Sequence, residues 1–267
     1  PLSEDQSVLR PLLLPALLDA AQRNAARGAS VLGLFESAHV YVPGDSLGAP
    51  EGSPGGTEPV DERHHLGGLL TLGAPATWRG AGRPANFYAA KGLVEALGAT
   101  AGVVLGFRAE AQPFLHPGRS AAVLTEGGRD LGWVGELHPL AAGAWDLETV
   151  AGFELDFDAL AEGAAGPAAY RDLTSLPAVL QDIAVVAPEA VSAAEVIDVV
   201  REGGGELLAS ARVFDVYSGE QIGEGNRSLA LRLEFRAPDR TLTDDEVAER
   251  RAAIESALTA IGGRLRA

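Results

Sequence analysis

The segment 114–139 reads FLHPGRSAAVLTEGGRDLGWVGELHP and contains two apolar runs, Ser120–Leu124 and Leu131–Leu137, on either side of a Gly-Gly pair. Glycine tolerates the positive φ angles of a tight turn, so this pattern predicts a β-hairpin. A His-Pro step stands at each outer end, at His116–Pro117 and at His138–Pro139. Proline has no N–H group, so we expect ladder pairing to stop at both steps. Because both arms are apolar, the hairpin should lie inside a larger sheet.

Periodicity and capping signals around the hairpin predict an antiparallel sheet domain with flanking helices over residues 1–160. The predicted strands cover 31–42, 66–72, 103–108 and 150–158, and the predicted helices cover 12–27 and about ten residues between Asn86 and Gly98. Residues 43–60 and 73–85 are rich in Gly and Pro and are predicted to form surface loops. Residues 161–173 contain mostly small side chains that bury little area, so we place a linker there.

Residues 174–267 follow a β-α-β-β-α-β order, which is the ferredoxin-like pattern. Two capping boxes mark the helix starts, Ser192 with Glu195 and Thr243 with Glu246. The predicted strands cover 183–187, 207–217, 228–235 and the final Arg-Leu-Arg. The whole chain is therefore assigned to the α+β class and to two domains.

Composition narrows the classes of function. The chain has 267 residues, a net charge of −16, no cysteine and no methionine. The negative charge provides no general attraction to nucleic acid, so an RNA contact has to be local, and no DNA partner is expected. The lack of cysteine and of a long apolar run predicts a cytoplasmic protein without disulfides or a membrane span. Because translation starts with methionine, we expect the chain to be part of a longer protein.

Distinctive blocks occur in both domains. Residues 1–160 contain PLSEDQSVLRPLLLPALLDAAQRN, NFYAAKGLVEALG, and LHPGRSAAV followed by GWVGELHP. Residues 174–267 contain SLPAVLQDIAVV, ARVFDVYSGEQIGEGNRSLALRLEF, DRTLTDDEV and GGRLR. In this order the blocks resemble the β subunit of bacterial phenylalanyl-tRNA synthetase. The resemblance implies a class II synthetase-like core domain that is not catalytic, followed by a ferredoxin-fold anticodon-binding domain.

The resemblance also implies partners. The chain would pack on a catalytic α subunit within an α2β2 enzyme and would bind the anticodon region of tRNA(Phe). ATP and magnesium would serve the α subunit, whereas this fragment would have no cofactor, metal or catalytic residue. Two departures from the family pattern occur, at Gln181–Asp182, where Arg-Asp is usual, and at Asn226–Arg227, where lysines are usual. At position 181 the positive charge of the usual arginine is lost, whereas Arg227 keeps one positive charge at the second position.

For the polar residues of the first domain, structural roles are favoured over catalytic or metal-binding roles. The candidate metal ligands are the histidines His64, His65, His116 and His138. They have no ligand partner at helical spacing, so a turn or structural role is favoured. Glu136 and His138 share a face if their strand continues, and a structural hydrogen bond is favoured over an acid–base pair. Arg119 offers a fork of donors to a phosphate, but no P-loop lysine or class II arginine motif accompanies it.

The third strand of the second domain points to an RNA surface. Its apolar residues alternate with polar ones, so the helices should cover the apolar face and leave Arg232 on the open face. Arg212 and Phe214 share a face of the neighbouring strand, and an arginine–aromatic surface holds single-stranded RNA. In the equally weighted alternative, Phe214 is core and the arginines pair with Glu234 and Asp215. The candidate tRNA contacts are Arg212, Phe214, Arg227, Arg232, Arg236, Arg240 and Arg264.

Two other functions stay open at this point. A regulatory small-molecule-binding ferredoxin-like module on a degenerate scaffold would show effector-dependent oligomerisation and no affinity for tRNA. A nucleotide-dependent enzyme would show ATP-dependent pyrophosphate exchange with this chain alone.

Overall fold

The computed structural model describes residues 8–29, 31–43, 60–71, 84–166 and 176–266, with the single residues 73, 77, 78 and 82. The chain divides into two compact units, Pro1–Ala168 and Ala169–Ala267. The division between the units falls inside the span 161–173, which the sequence predicts to be a linker. The first two residues of that span belong to a helix. Residues 167–175 lie outside the described residues. Most of the two predicted loops also lies outside them. None of the described helices is both long and apolar enough to cross a membrane.

The described part of the first unit contains one six-stranded sheet. Its strands are β1 (Leu32–Pro43), β2 (Val60–Thr71), β3 (Leu105–Ala109), β4 (Leu115–Thr125), β5 (Asp130–Leu137) and β6 (Val150–Asp156). They are antiparallel and lie in the order β1-β2-β6-β5-β4-β3. The accompanying helices are α1 (Leu14–Ala25), α2 (Phe87–Ala101), α3 (Pro139–Gly143) and α4 (Phe157–Glu162). The predicted antiparallel sheet with flanking helices is confirmed, and the short helices α3 and α4 were not predicted.

The predicted hairpin is confirmed as β4 and β5, and Gly128 adopts a φ of 80° in its turn. Both arms lie inside the sheet, as expected. The regular register ends at Leu137; the His138 N–H donates a last hydrogen bond to the Phe114 carbonyl (2.9 Å), and the His138 side chain caps α3. At the other His-Pro step the prediction is wrong, since Leu115 still pairs with Leu137 beyond that step. A register shift between Leu115 and Ser120 accommodates the proline, which has no N–H to donate to the ladder.

Two predicted boundaries differ for local reasons. Helix α2 continues past Gly98 to its C-cap Gly102, which has a φ of 72°. Gly98 instead gives room to Leu105, because a Cβ at this position would lie 2.6 Å from the Leu105 side chain. Strand β6 ends two residues earlier than predicted, because the Asp156 carboxylate accepts a hydrogen bond from the Ala159 N–H and caps α4.

Helices cover both faces of the first sheet. The buried residues of α1 pack in one cluster with Leu69, Trp133 and Val150. The buried residues of α2 pack in another cluster with Val134 and Phe153. Residues of β6 therefore enter both clusters, and six of its seven residues are buried. The central strands of this sheet have no open face.

A buried carboxylate holds the N-terminus of α1. Leu13 occupies the N-cap position and has no side chain that can accept a hydrogen bond. Glu154 on β6 is 2% exposed and accepts hydrogen bonds from the Leu13 N–H (2.9 Å) and the Leu14 N–H (3.3 Å). Its other carboxylate oxygen lies 2.8 Å from Nδ1 of His65. The negative charge satisfies free helix N–H groups and interacts favourably with the helix dipole.

The second unit has the ferredoxin-like topology. Its elements are β7 (Val179–Pro188), α5 (Ala193–Gly204), β8 (Leu208–Tyr217), β9 (Asn226–Phe235), α6 (Asp244–Leu258) and β10 (Arg264–Leu265). The strands lie in the order β10-β7-β9-β8, and each pair is antiparallel. Both predicted capping boxes are confirmed, at the starts of α5 and α6. Val196 of α5 and Ile254 of α6 are fully buried in one core with the apolar residues of β9.

We predict that Glu154→Ala lowers the free energy of unfolding by roughly 3 kcal/mol, because two helix N–H groups and the His65 imidazole lose a buried charged partner. Glu154→Gln should lose less, since the amide oxygen still accepts one of these hydrogen bonds. Urea denaturation measures the change. Glu126→Ala, at an exposed hairpin position, is the control and should stay within about 0.5 kcal/mol of the parent protein. Equal stability of the Glu154→Ala and Glu126→Ala variants would contradict this role of Glu154.

Candidate nucleic-acid interface

Strand β9 leaves one face of the second sheet open. Leu229, Leu231, Leu233 and Phe235 are at most 1% exposed and lie in the core beneath the helices. Successive side chains of a strand point to opposite faces, so the residues between them lie on the other face. Arg232 is the most exposed of these, with a side chain 56% accessible. This distribution agrees with the face assignment made from the sequence.

A bulge in β8 brings Phe214 to the same open face. Arg212 lies directly opposite Arg232, and the next regular pairs are Val213 with Leu231 and Asp215 with Ala230. Phe214 is skipped in this pairing and is 55% exposed, so it is not part of the core. A bulge places one extra residue on its strand and redirects its side chain. Asp215 therefore also lies opposite an open-face residue, which is why alternation alone could not assign the face of β8.

Arg232 is held by two neighbours. Its Nε and Nη2 donate hydrogen bonds of 2.9 Å and 2.8 Å to the two carboxylate oxygens of Asp182, the residue directly opposite on β7. The guanidinium carbon lies 5.3 Å from the centre of the Phe214 ring, within cation–π distance. The hydrogen bonds from Arg232 lower the pKa of Asp182, and the Asp182 carboxylate raises the pKa of Arg232. Both groups are therefore charged across the physiological pH range. The alternative interpretation is therefore correct only for Glu234, which pairs with Arg236; among the described residues Asp215 forms no ion pair with an arginine, and Phe214 is not core.

A depression of about 380 Å³ lies on the open face beside this cluster. Its lining combines an exposed aromatic ring with hydroxyl, amide, carboxylate and guanidinium groups, from Ala184, Asp215, Tyr217, Gln221, Ser228, Ala230 and Arg266. An unpaired base can stack on an aromatic ring and form hydrogen bonds along its edge. None of these residues was among the tRNA contacts predicted from the sequence, although Ser228 and Ala230 share the parity of Arg232 on β9 and so belong to the predicted open face.

The other predicted contacts lie in different places. Arg264 is exposed and lies opposite Val186, on the open face at the β10 edge. Arg236 follows β9 and donates to the Glu234 carboxylate (2.9 Å). Arg227 has the parity of Leu229, so it lies on the helix-covered face, where it donates to the Val191 carbonyl (2.6 Å).

Arg240 takes part in the N-terminal cap of α6. Its guanidinium donates to Glu246 at 2.8 Å, and the same carboxylate accepts from the Thr243 N–H. The hydrogen bond from Arg240 makes the largest contribution, and together with that from Thr243 it lowers the pKa of Glu246 to about 2. The structure therefore groups Arg212, Phe214 and Arg232, with Arg264 at the far edge of the same face, and separates Arg227 and Arg240 from them.

The polar residues considered for catalysis in the first unit have structural partners. Glu136, 8% exposed, accepts hydrogen bonds from the Phe87 N–H at the start of α2 (2.9 Å) and from Nη1 of Arg119 (2.6 Å). His138 leaves the strand, and its Nδ1 accepts from the Leu140 N–H, so it does not pair with Glu136. The described residues contain no group of three or more His, Asp and Glu placed to hold a metal ion.

Two depressions in the described part of the first unit are apolar. They measure about 450 and 430 Å³ and lie between α2 and strands β1 and β2. Phe35 and Leu93 are partly exposed there, and neither lining includes a titratable side chain. This surface offers apolar contact area and no acidic or basic side chain.

We predict a pH dependence of stability from Glu136. Burial raises the pKa of Glu136, but the hydrogen bonds from Phe87 and Arg119 outweigh it, so the net pKa lies below the ordinary 4.5. A lowered pKa in the folded state stabilises the protein above the unfolded pKa, and this contribution is lost as the pH falls through the folded pKa. The difference in unfolding free energy between the parent protein and Glu136→Gln should therefore be constant near neutral pH and shrink below about pH 4.5.

Urea denaturation at several pH values tests this prediction. The exposed Glu126→Gln variant serves as the control and should show no such trend. A difference for Glu136→Gln that stays constant from neutral pH to about pH 3 would contradict the assignment.

Comparison with known proteins identifies similar sequences in both units. The family described as "Phenylalanyl tRNA synthetase beta chain CLM domain" matches residues 1–157. The family described as "Ferredoxin-fold anticodon binding domain" matches residues 174–266. Each match falls within one of the two units of the structure, and a short stretch between the two matches belongs to neither family.

Curated relatives carry the name phenylalanine–tRNA ligase β subunit. The protein from Symbiobacterium thermophilum is 43% identical over 100% of this chain and 29% of its own length. The proteins from Moorella thermoacetica and Nocardia farcinica are each 42% identical, over 97% and 100% of this chain and 31% and 33% of their own lengths. The chain therefore spans about a third of the length of these relatives.

Proposed function

Because the chain belongs to the phenylalanyl-tRNA synthetase β-chain family, we propose that it forms part of a phenylalanine–tRNA ligase and binds the anticodon region of tRNA(Phe) through the open face of its second sheet. The reaction served is ATP-dependent attachment of phenylalanine to tRNA. The open face is the observation that supports this role most strongly. It combines Arg212 and Arg232 with the exposed rings of Phe214 and Tyr217, and such surfaces hold single-stranded RNA by stacking and phosphate pairing.

The first unit is proposed as a scaffold for a catalytic α subunit in a cytoplasmic α2β2 enzyme. Its buried carboxylates Glu136 and Glu154 hold helix termini, and Arg119, the candidate phosphate ligand, donates to Glu136. ATP and magnesium are assigned to the α subunit in this proposal. The exposed apolar surface around Phe35 and Leu93 supplies contact area of the kind found at protein interfaces.

The regulatory small-molecule module is not favoured. Both units match one synthetase chain, and one set of relatives covers the chain from end to end. A stand-alone regulatory module would match its family over the second unit only.

We predict that Tyr217→Ala weakens tRNA(Phe) binding by the assembled full-length enzyme roughly 5- to 150-fold, the loss typical of one stacked base. Arg212→Ala should weaken binding and reduce the slope of log affinity against log salt by about 0.7 to 0.9, because one phosphate contact disappears. Filter binding or fluorescence titration at several salt concentrations measures both effects.

Arg251→Ala is the matched control for this experiment. Arg251 is an exposed arginine on α6, and no ion pair is formed by it within the described residues. Its removal should change neither the affinity nor the slope. Equal behaviour of the three variants would mean that the open face does not bind the anticodon region.

A further inference from the structure

We propose that Arg232 binds RNA as a stacking surface whose charge is balanced by Asp182, so that Arg232 holds an unstacked base while the neighbouring Arg212 binds phosphate. This inference rests on the proposed function, because it assigns different tasks to two arginines of the same face. Asp182 is then a positioning residue, which acts on RNA through Arg232.

The geometry of the ion pair fixes the guanidinium plane. Nε and Nη2 of Arg232 each donate to a different oxygen of Asp182, at 2.9 Å and 2.8 Å. Two parallel hydrogen bonds between a planar fork and a carboxylate define the orientation of both groups. Lysine has a single ammonium group and cannot reproduce this arrangement or present a flat surface.

The two arginines differ in whether a neighbouring carboxylate balances their charge. Asp182, Arg232 and Arg212 lie in one row across β7, β9 and β8. The pair Asp182–Arg232 carries no net charge, so its contribution to phosphate attraction is small. Arg212 is exposed, and within the described residues it has no ion-pair partner. The free positive charge of the row therefore belongs to Arg212.

The aromatic neighbour extends the flat surface. The β8 bulge exposes Phe214, and its ring centre lies 5.3 Å from the Arg232 guanidinium carbon. Arginine planes and aromatic rings both stack on the faces of unpaired bases, whichever base is present. A guanidinium that is fixed by Asp182 and lies over an exposed ring forms a stack to which an unpaired base can add.

Paired substitutions in the assembled full-length enzyme distinguish stacking from phosphate binding. The variants are Arg232→Ala, Arg232→Lys, Arg212→Ala, Arg212→Lys and Asp182→Asn, and the probe is a tRNA(Phe) transcript titrated at several salt concentrations. Thermal melting of each variant verifies that the second unit is folded. The readouts are the affinity at one salt concentration and the slope of log affinity against log salt.

The inference predicts a different result for each arginine. Arg232→Lys keeps the charge balance with Asp182, so it should weaken binding roughly 5- to 150-fold and leave the salt slope unchanged. Arg232→Ala should weaken binding at least as much, and because it leaves the charge of Asp182 unbalanced it should also lower the slope by about 0.7 to 0.9. Arg212→Ala should lower the slope by about 0.7 to 0.9, and Arg212→Lys should restore most of it. Asp182→Asn releases the charge of Arg232, so its slope should become steeper by about 0.7 to 0.9.

Other outcomes overturn the inference in distinguishable ways. If Arg232→Lys binds the tRNA with the affinity and slope of the parent protein while Arg232→Ala weakens binding, Arg232 is a phosphate contact. If Arg232→Ala has no effect while Arg212→Ala weakens binding, the open face binds RNA without this stacking surface. If neither arginine nor Tyr217 matters, the proposed function of this face is wrong, and the inference fails with it.

Discussion

The helices of the second unit cover only one face of its sheet, and the candidate site depends on this constraint. In a β-α-β-β-α-β chain both crossovers have the same hand, so both helices pack on the same side. The alternating apolar residues of β9, from Leu229 to Phe235, fill that side completely. Every residue of opposite parity then faces outward. Arg232 becomes an exposed residue because Leu231 and Leu233 on either side of it are core residues.

In the first unit, the buried charged side chains stabilise the fold and do not form an open surface. Its sheet is covered on both faces, and its two most buried carboxylates each accept N–H groups at the start of a helix: Glu154 holds α1, and Glu136 holds α2. A carboxylate in such a position is occupied by backbone donors and by a basic partner, His65 or Arg119. These groups explain how a synthetase-like sheet keeps buried charges that serve its stability. The proposed RNA surface lies in the second unit instead.

The sequence predicted what local patterns determine. Both capping boxes and the hairpin turn depend on residues a few positions apart, and they were recognised correctly. The bulge at Phe214 could not be predicted, because it depends on how β8 pairs with β9. Glu154 caps a helix 140 residues earlier in the chain, and no local pattern marks that contact. Tyr217 and Arg266 meet only when strands and turns from several parts of the chain come together.

In the proposed function, the open face of the second sheet contacts the anticodon loop. Photo-crosslinking tests it most directly: tRNA(Phe) with 4-thiouridine in the anticodon loop is bound to the assembled full-length enzyme, irradiated and mapped by mass spectrometry. We expect crosslinks in β8, in the turn after it and in β9, around Phe214, Tyr217 and Arg232. Crosslinks confined to α5 and α6, or to the first unit, would contradict it.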